Sequence, residues 1–150
     1  MENLLKYRPP RIAALLIAVN LIIWLFSPPG TVLYFPYKLL GIVSAGGGFT
    51  IMMWAWFQFR KAGTAVCPTG KTTSIVRGGA YRIGRNPMYL GMLAMLTGMA
   101  FFMGSIQAFF APAAFFIIMD KAFIPYEEEK LLDGFGYQYA EYMKSTRRWL

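Results

Sequence analysis

The sequence predicts an all-α integral membrane protein that forms a single domain over residues 1–150, and three observations support this fold class. Of the 150 residues, 57% are apolar and only 15% are charged, whereas a soluble domain carries about 25% charged residues. Long uncharged runs cover residues 12–26, 39–59 and 86–119. The 15 Lys and Arg residues all lie outside these runs and exceed the 7 acidic residues, which gives a net charge of +8. Apolar runs flanked by positive charge are typical of helices in a bilayer.

Four membrane helices are predicted from these runs, at about residues 11–26, 37–59, 87–103 and 106–124. The first ends at the SPPG sequence of residues 27–30, because two prolines and a glycine cannot continue a helix. The run 86–119 would form a helix about 51 Å long, which exceeds a hydrocarbon core of about 30 Å. We therefore expect it to fold back at Gly104-Ser105 into a hairpin of two short spans.

Small residues recur at helical spacing in the second and third predicted spans. They are Gly41, Ala45, Gly48, Ala94 and Gly98. Residues of this size at intervals of three and four let helix backbones approach closely in a membrane.

The distribution of positive charge predicts the orientation. An even number of spans places both termini and the loop of residues 60–85 on one side of the membrane. Every Lys and Arg residue except Lys38 then lies on that side, which the positive-inside rule identifies as the cytoplasm. We therefore expect a multi-pass protein with both termini in the cytoplasm, in the bacterial inner membrane if the chain is prokaryotic. No A-x-A-like site follows the first span, so that span is expected to be retained.

Residue usage excludes several kinds of catalytic centre. Histidine is absent and cysteine occurs once, at Cys67. Ser-His-Asp and Cys-His catalysis, His-ligated zinc or iron and an intramolecular disulfide are therefore excluded, and no metal site is expected.

Two features on the cytoplasmic side suggest a ligand site. The loop of residues 60–85 carries six cations, five glycines and no acid. It either binds anionic lipid or folds over an anionic or zwitterionic ligand. Beyond Pro125, the glutamates 127–129 begin a predicted C-terminal amphipathic helix, where they either stabilise the helix start or bind hydroxyls or a cation. The apolar face of this helix consists of Leu131, Phe135, Tyr139 and Tyr142.

Two motifs occur at consistent spacing, in GTAVCPTGKTTSIVRGGAYRIGRNPMYLG (63–91) and in EEEKLLDGFGYQYAEYMKSTRRWL (127–150). They resemble the isoprenylcysteine carboxyl methyltransferase family, integral membrane enzymes that use S-adenosylmethionine and are related to the phospholipid N-methyltransferases. The matching positions are Gly79, Tyr81, Arg82, Arg85, Pro87, Tyr89, Gly91, Glu127, Glu128, Phe135, Gly136, Tyr139, Tyr142, Arg147 and Arg148. The resemblance covers the motif-bearing part, about residues 60–150, and implies a short member of the bacterial type.

The resemblance also implies a site for S-adenosylmethionine between the loop 60–85, the start of the third helix and the C-terminal helix. The implied cofactor-binding residues are Gly79, Tyr81, Arg85, Asn86, Pro87, Tyr89, Glu127, Glu128, Tyr139 and Arg147. Among them, Tyr81 and Tyr89 would face the sulfonium, because aromatic faces attract cations.

Charged residues receive the remaining implied roles. Arg85, Arg148 and Glu128 are the implied catalytic residues, since placing donor and acceptor contributes most of the catalysis of a methyl transfer. Arg85 or one of the arginines 147–148 would pair with the donor carboxylate, and Glu127 or Glu128 would bind its amine or ribose hydroxyls. In the competing interpretation, the arginines and tyrosines only anchor the protein at the headgroup zone.

Asn86 departs from the family pattern, which usually has Arg-His-Pro where this chain has Arg-Asn-Pro. Asparagine forms hydrogen bonds but does not titrate. We therefore expect Asn86 to hydrogen-bond the donor and to take no part in proton transfer. Arg-Asn-Pro also occurs in bacterial relatives of the family, so the change does not indicate an inactive enzyme.

The identity of the methyl acceptor follows less directly. A carboxylate acceptor needs no base, which suits a site without histidine, whereas an amine must lose a proton. The sequence therefore favours carboxyl O-methylation of a lipid-like or prenylated acceptor that comes from the bilayer. Phospholipid N-methylation is the alternative. A non-catalytic binding or assembly protein on this scaffold, or a small structural protein that grips headgroups, is also left open. Membrane lipids are expected partners, and nucleic acid is not.

Overall fold

A computed structural model of the protein describes residues 9–26, 33–63 and 74–150. Most of these residues are helical and none lies in a strand, which confirms the all-α fold class for the described ranges. The α-helices are, in chain order, α1 (Pro9–Phe26), α2 (Tyr37–Lys61), α3 (Pro87–Met103), α4 (Phe110–Ile118), α5 (Ile124–Phe135) and α6 (Tyr137–Ser145). The predictions for residues 64–73, in the middle of the basic loop, lie outside the described residues.

A continuous helical segment of 30 residues extends from Ile106 to Phe135. It begins with a 3₁₀ turn (Ile106–Phe109), continues as α4, passes through a π turn (Met119–Phe123) and ends as α5. The prediction of a separate helix after the fourth span is therefore wrong, because no loop precedes α5. Pro125 does lie in the first turn of α5. A proline costs little here, because the regular i→i−4 hydrogen-bond pattern is already interrupted at the preceding π turn.

Among the described residues, three helices are long and apolar enough to cross a membrane. They are α1, α2 and the segment from Ile106 to Phe135. The apolar helix α3 is shorter, with 17 residues, or about 26 Å against a hydrocarbon core of about 30 Å. The structure thus contains three candidate membrane helices, and the count of four spans stays a prediction.

The motif residues lie at one end of the bundle. At the other end, the backbone N–H of Leu33 donates to the carbonyl of Gly104 at 3.0 Å, which joins the start of α2 to the turn after α3. Gly104 has a φ of +73°, a left-handed conformation that suits glycine and ends α3. At the motif end, the 3₁₀ turn Gly79–Arg82 packs against the last turns of α2.

The predicted single amphipathic helix at the C-terminus is two helices. Gly136, with φ +50° and ψ −125°, separates α5 from α6. Residues with a Cβ avoid this backbone conformation, so the glycine breaks a pattern that is otherwise continuous in sequence. As a result α6 turns away from α5 and places Tyr139 and Tyr142 in a separate buried cluster.

Close backbone contact between α2 and α3 holds the centre of the bundle together. A Cβ added to Gly91 would lie 2.6 Å from the carbonyl oxygen of Gly48. One added to Gly98 would lie 2.5 Å from the carbonyl oxygen of Gly41. Gly41, Gly48 and Gly98, identified by their spacing, lie at this contact together with Gly91, and glycine carries no side chain that would keep the two backbones apart.

Buried side chains form two clusters. The larger lies inside the bundle and is formed by Ile12, Ala13, Tyr89, Met92, Leu96, Ala111, Phe115, Met119, Phe123 and Ile124. The smaller lies at the motif end and is formed by Ala55, Ala80, Tyr81, Tyr139 and Tyr142. Tyr89 and the π turn belong to the first cluster, so the motif end is continuous with the interior of the bundle.

We predict that Gly91→Ala lowers the free energy of unfolding by about 1–3 kcal/mol, since the new methyl group meets backbone atoms that cannot rotate away. Gly46→Ala is the matched control, because nothing lies within 4 Å of a Cβ at that position. Thermal unfolding of both variants in the same detergent measures the difference. Equal melting temperatures for the two variants would contradict the close backbone contact.

Candidate functional site

A buried carboxylate shared by two arginines forms the centre of the motif end. Glu128 in α5 has a side-chain exposure of 8%. Its Oε1 accepts a hydrogen bond from Nη2 of Arg85 at 2.7 Å, and its Oε2 accepts one from Nη2 of Arg148, also at 2.7 Å. Two charge-assisted bonds of this length compensate much of the cost of burying the carboxylate. All three residues predicted as catalytic therefore lie in contact.

Arg85 is held by carbonyl groups as well as by Glu128. Its Nη1 donates to the carbonyl oxygen of Met143 at 3.0 Å and to that of Thr146. Its backbone N–H donates to the carbonyl of Arg147 at 2.9 Å. The side chain is 9% exposed, and its Nε–H has no partner among the described residues. Arg85 thus connects the end of α6 to the start of α3, and its buried Nε–H remains without an acceptor in the described structure.

Arg148 connects Glu128 to a second carboxylate. Its Nη1 lies 3.3 Å from Oδ1 of Asp120, which belongs to the π turn. The same Oδ1 accepts a hydrogen bond from the indole N–H of Trp149 at 3.1 Å. Since the Arg148 side chain is 36% exposed, this end of the network reaches the surface of the described structure.

Glu127 points to a different partner from its neighbour. The hydroxyl of Tyr89, two residues into α3, donates to Oε1 of Glu127 at 2.5 Å. Pro87 is buried in the first turn of α3, where a proline fits because its missing N–H would have no helical partner. The Tyr89–Glu127 pair therefore lies beside the Arg85–Glu128 pair: both glutamates belong to α5, Tyr89 belongs to α3, and Arg85 lies in the turn before α3.

Asn86 precedes α3 with φ −125° and ψ 50°, and its backbone carbonyl accepts the first helical bond, from Leu90. Its side-chain Nδ2 donates to the carbonyl oxygen of Arg148 at 2.9 Å. The amide is thus engaged with the C-terminal tail. The sequence predicts that Asn86 binds the methyl donor. That contact would use the side-chain oxygen of Asn86, or it would require Nδ2 to release the carbonyl oxygen of Arg148.

Three tyrosines form a buried wall at the motif end. The hydroxyl of Tyr142 donates to the carbonyl oxygen of Tyr81 at 2.6 Å, and the ring of Tyr81 meets Phe59 edge-on at 5.2 Å. Burial raises the pKa of Tyr142 to about 12, and it also raises the pKa values of Tyr81 and Tyr139. These hydroxyls therefore keep their protons at neutral pH and act as donors. Tyr81 and Tyr139 are less than 6% exposed, so they pack the wall and do not line an open surface.

Two glycines allow close approaches at this end. Gly79 has a φ of +59°, and a Cβ there would lie 2.1 Å from Nε2 of Gln58. Gly84 is buried, and a Cβ there would lie 2.0 Å from the carbonyl oxygen of Trp149. The C-terminal tail therefore lies directly on the backbone that leads into α3.

The structure brings most of the predicted residues together. The network around Glu128 includes Arg85, Asn86, Arg148 and, alongside it, Tyr89 and Glu127. Arg147 contributes only its carbonyl, since its side chain is exposed. The sequence interpretation missed Asp120, Gly84 and Trp149. Gly84 and Trp149 stand inside or beside the two motifs, whereas Asp120 is marked only as an acid at the end of an apolar run. No group of three potential metal ligands was found in the described ranges.

Comparison with protein families gave one match. A family model described as phospholipid methyltransferase matches residues 36–138, from the start of α2 into α6. The match ends before Arg148 and Trp149, so the contacts of the tail come from the structure alone. A search of curated proteins and a search of solved structures each gave no significant match.

We predict that Glu128→Gln lowers the free energy of unfolding by about 3–5 kcal/mol, because it leaves the buried guanidinium of Arg85 without its counter-charge. Arg147→Gln, at an exposed side chain that contributes only a carbonyl, is the control and should change stability by less than about 0.5 kcal/mol. Thermal unfolding in detergent measures both. If Glu128→Gln is as stable as the parent, water and not the protein compensates the positive charge of Arg85.

Proposed function

We propose that this chain, which belongs to the phospholipid methyltransferase family, transfers a methyl group from S-adenosylmethionine to an acceptor in the membrane. The observation that carries the proposal is the pairing of Tyr89 with Glu127 beside the pairing of Arg85 with Glu128, all at one end of apolar helices. This arrangement combines carboxylates, a guanidinium group and an aromatic ring at the end of the apolar helices. A positively charged donor and a lipid acceptor require such a meeting point.

Arg85 provides the test of whether the residues fit the cofactor. A buried charged donor without an acceptor is costly, and the Nε–H of Arg85 is such a donor. A carboxylate or hydroxyl from a bound molecule would satisfy it, and S-adenosylmethionine has both. The Glu127 carboxyl group has two oxygens, of which the Tyr89 hydroxyl contacts one, which suits an amine or ribose hydroxyls. The residues therefore fit the cofactor.

The proposed roles of the residues follow from the chemistry. When bound, S-adenosylmethionine supplies a methyl group on a positively charged sulfur and departs as a neutral thioether. Glu127 and the ring of Tyr89 stabilise positive charge beside them. Arg85 holds an anionic group of the donor, while Glu128 keeps Arg85 in place. Catalysis then comes mainly from holding the two reactants in line.

A phospholipid head-group amine is the acceptor that we favour. The family description names phospholipid, and the site contains the carboxylates of Asp120, Glu127 and Glu128 against the two guanidinium groups of Arg85 and Arg148. Carboxylates attract an ammonium group, and in this proposal Glu127 accepts the proton that the amine must lose. Carboxyl O-methylation of a lipid-like acid, which the sequence favours, is the second candidate, because a carboxylate acceptor needs no base and the chain has no histidine.

Calorimetric titration of the purified full chain with S-adenosylmethionine tests donor binding, and we expect a micromolar dissociation constant. Glu127→Gln should weaken binding by more than tenfold, which is about 1.4 kcal/mol, without a matching loss of melting temperature. Glu129→Gln is the matched control, because Glu129 is exposed at the next position along α5. No heat of binding up to millimolar donor would leave the non-catalytic alternatives in place of the enzyme.

The acceptor is identified with vesicles and a radiolabelled donor methyl group. We expect label in the lipid fraction of vesicles that contain phosphatidylethanolamine, and none in vesicles of phosphatidylcholine alone. Label in added prenylated or fatty acids, and none in phosphatidylethanolamine, would establish the O-methylation candidate instead.

We also propose that both termini face the cytoplasm, as the charge distribution predicts. In a Cys67→Ser background, Thr31→Cys should react with a membrane-impermeant maleimide in intact cells. Ser145→Cys, at the end of α6, should react only after the membrane is opened. The opposite pattern of labelling would reverse the orientation, and labelling of neither site in intact cells would overturn the even number of spans.

A further inference from the structure

The π turn at Met119–Phe123 contains Asp120, the first of the two carboxylates that Arg148 joins, and it ends five residues before the second, Glu128. It interrupts the helical segment Ile106–Phe135 between the apolar α4 and the charged α5. Single π turns inside longer helices are uncommon and occur often at functional sites. Its position therefore asks for a physical explanation.

The π turn changes the rotation of the helix between Asp120 and Glu128. Asp120 and Glu128 are eight residues apart, and at about 100° per residue an unbroken α-helix would turn them about 80° away from each other. A π turn takes up one extra residue, so the eight positions cover the rotation of about seven, or about 700°, which is within about 20° of two full turns. The π turn thus brings both carboxylates to the same face of the segment. Arg148 contacts both, at 3.3 Å and 2.7 Å.

Asp120 also fixes the residue that follows Arg148. The indole N–H of Trp149 donates to its Oδ1 at 3.1 Å, and the Trp149 ring lies 5.1 Å from that of Phe116, one turn earlier on the same segment. The carbonyl of Trp149 in turn lies against Gly84, and the carbonyl of Arg148 accepts from Asn86. The tail is therefore clasped between the π turn and the backbone that leads into α3.

We propose that Asp120 is a positioning residue for the donor site, acting through Arg148 and Trp149. By clasping the tail, Asp120 holds the Arg148 guanidinium on Glu128 and so fixes the orientation in which Glu128 presents Arg85. The proposal rests on the proposed function, because it assigns to the clasp a role in donor binding. In this proposal the π turn sets the rotation of the helix so that Asp120 and Glu128 face the same side, where Arg148 contacts both.

Three variants separate the contacts of Asp120. Asp120→Ala removes both the acceptor and the charge, whereas Asp120→Asn keeps an oxygen for the indole N–H and loses only the charge. Trp149→Phe keeps a ring against Phe116 and loses only the indole donor. Lys121→Gln is the control, because Lys121 also pairs with Asp120, at 3.0 Å, but its side chain is 77% exposed and touches nothing else in the clasp.

The full-length variants are compared in detergent by calorimetric titration with S-adenosylmethionine, by thermal unfolding, and by amide hydrogen exchange of residues 146–150 without donor. We expect Asp120→Ala to raise the dissociation constant more than tenfold and to speed exchange of the tail. Asp120→Asn and Trp149→Phe should each raise it about threefold to tenfold, and Lys121→Gln by less than twofold. The milder pair keeps the test decisive if the alanine variant does not fold.

The outcomes are distinct. Variants that lose melting temperature but bind the donor within twofold of the parent would assign Asp120 to stability alone and overturn the proposal. So would tail amides that exchange at the parental rate in Asp120→Asn and Trp149→Phe. A parent chain that binds no donor at millimolar concentration would overturn the proposed function, and the positioning role together with it.

Discussion

Glu128 forms ion pairs with two arginines, and the motif end of the molecule is organised around that buried carboxylate. Arg85 reaches it from the turn before α3, Arg148 reaches it from the C-terminal tail, and Glu128 itself belongs to α5. An unpaired charge in this position would cost several kcal/mol, roughly the margin by which a domain is stable. Three separate parts of the chain are therefore obliged to meet at one point. The carbonyls of Met143 and Thr146 add directional contacts that the ion pair alone would lack.

Local features of the chain were predictable from its sequence. The helices α1, α2 and α3 begin and end within a few residues of the predicted bounds, because apolar runs and helix-breaking residues act over short distances. The contact of Gly48 with Gly91 was also predictable in kind, since small residues at helical spacing identify the face that approaches a neighbour. The motif residues Arg85, Glu128 and Arg148 were named together from a resemblance, and the structure brings them into contact.

Features that depend on the phase of a helix or on distant contacts were not predictable. Asp120 reads as an ordinary interfacial acid until the π turn is known, because an α-helix would direct it away from Glu128. The break at Gly136 was concealed by an apolar pattern that continues across it. The resemblance to a family did not predict the contact of Asn86, whose amide donates to the carbonyl oxygen of Arg148, a residue 62 positions away. Spacing along a sequence does not reveal which hydrogen bonds a side chain forms with a distant backbone.

The glycine contacts between α2 and α3 bear on how a lipid could reach the motif end. Where carbonyl oxygens and Cα atoms touch, as at Gly41–Gly98 and Gly48–Gly91, separation would forfeit tight packing along the length of both helices. We therefore expect α2 and α3 to stay together as a rigid unit. Interfaces built from flexible side chains, such as that of α1 with the segment from Ile106 to Phe135, deform at lower cost. If the bundle opens sideways, we therefore expect it to open on the side that α1 closes and not between α2 and α3.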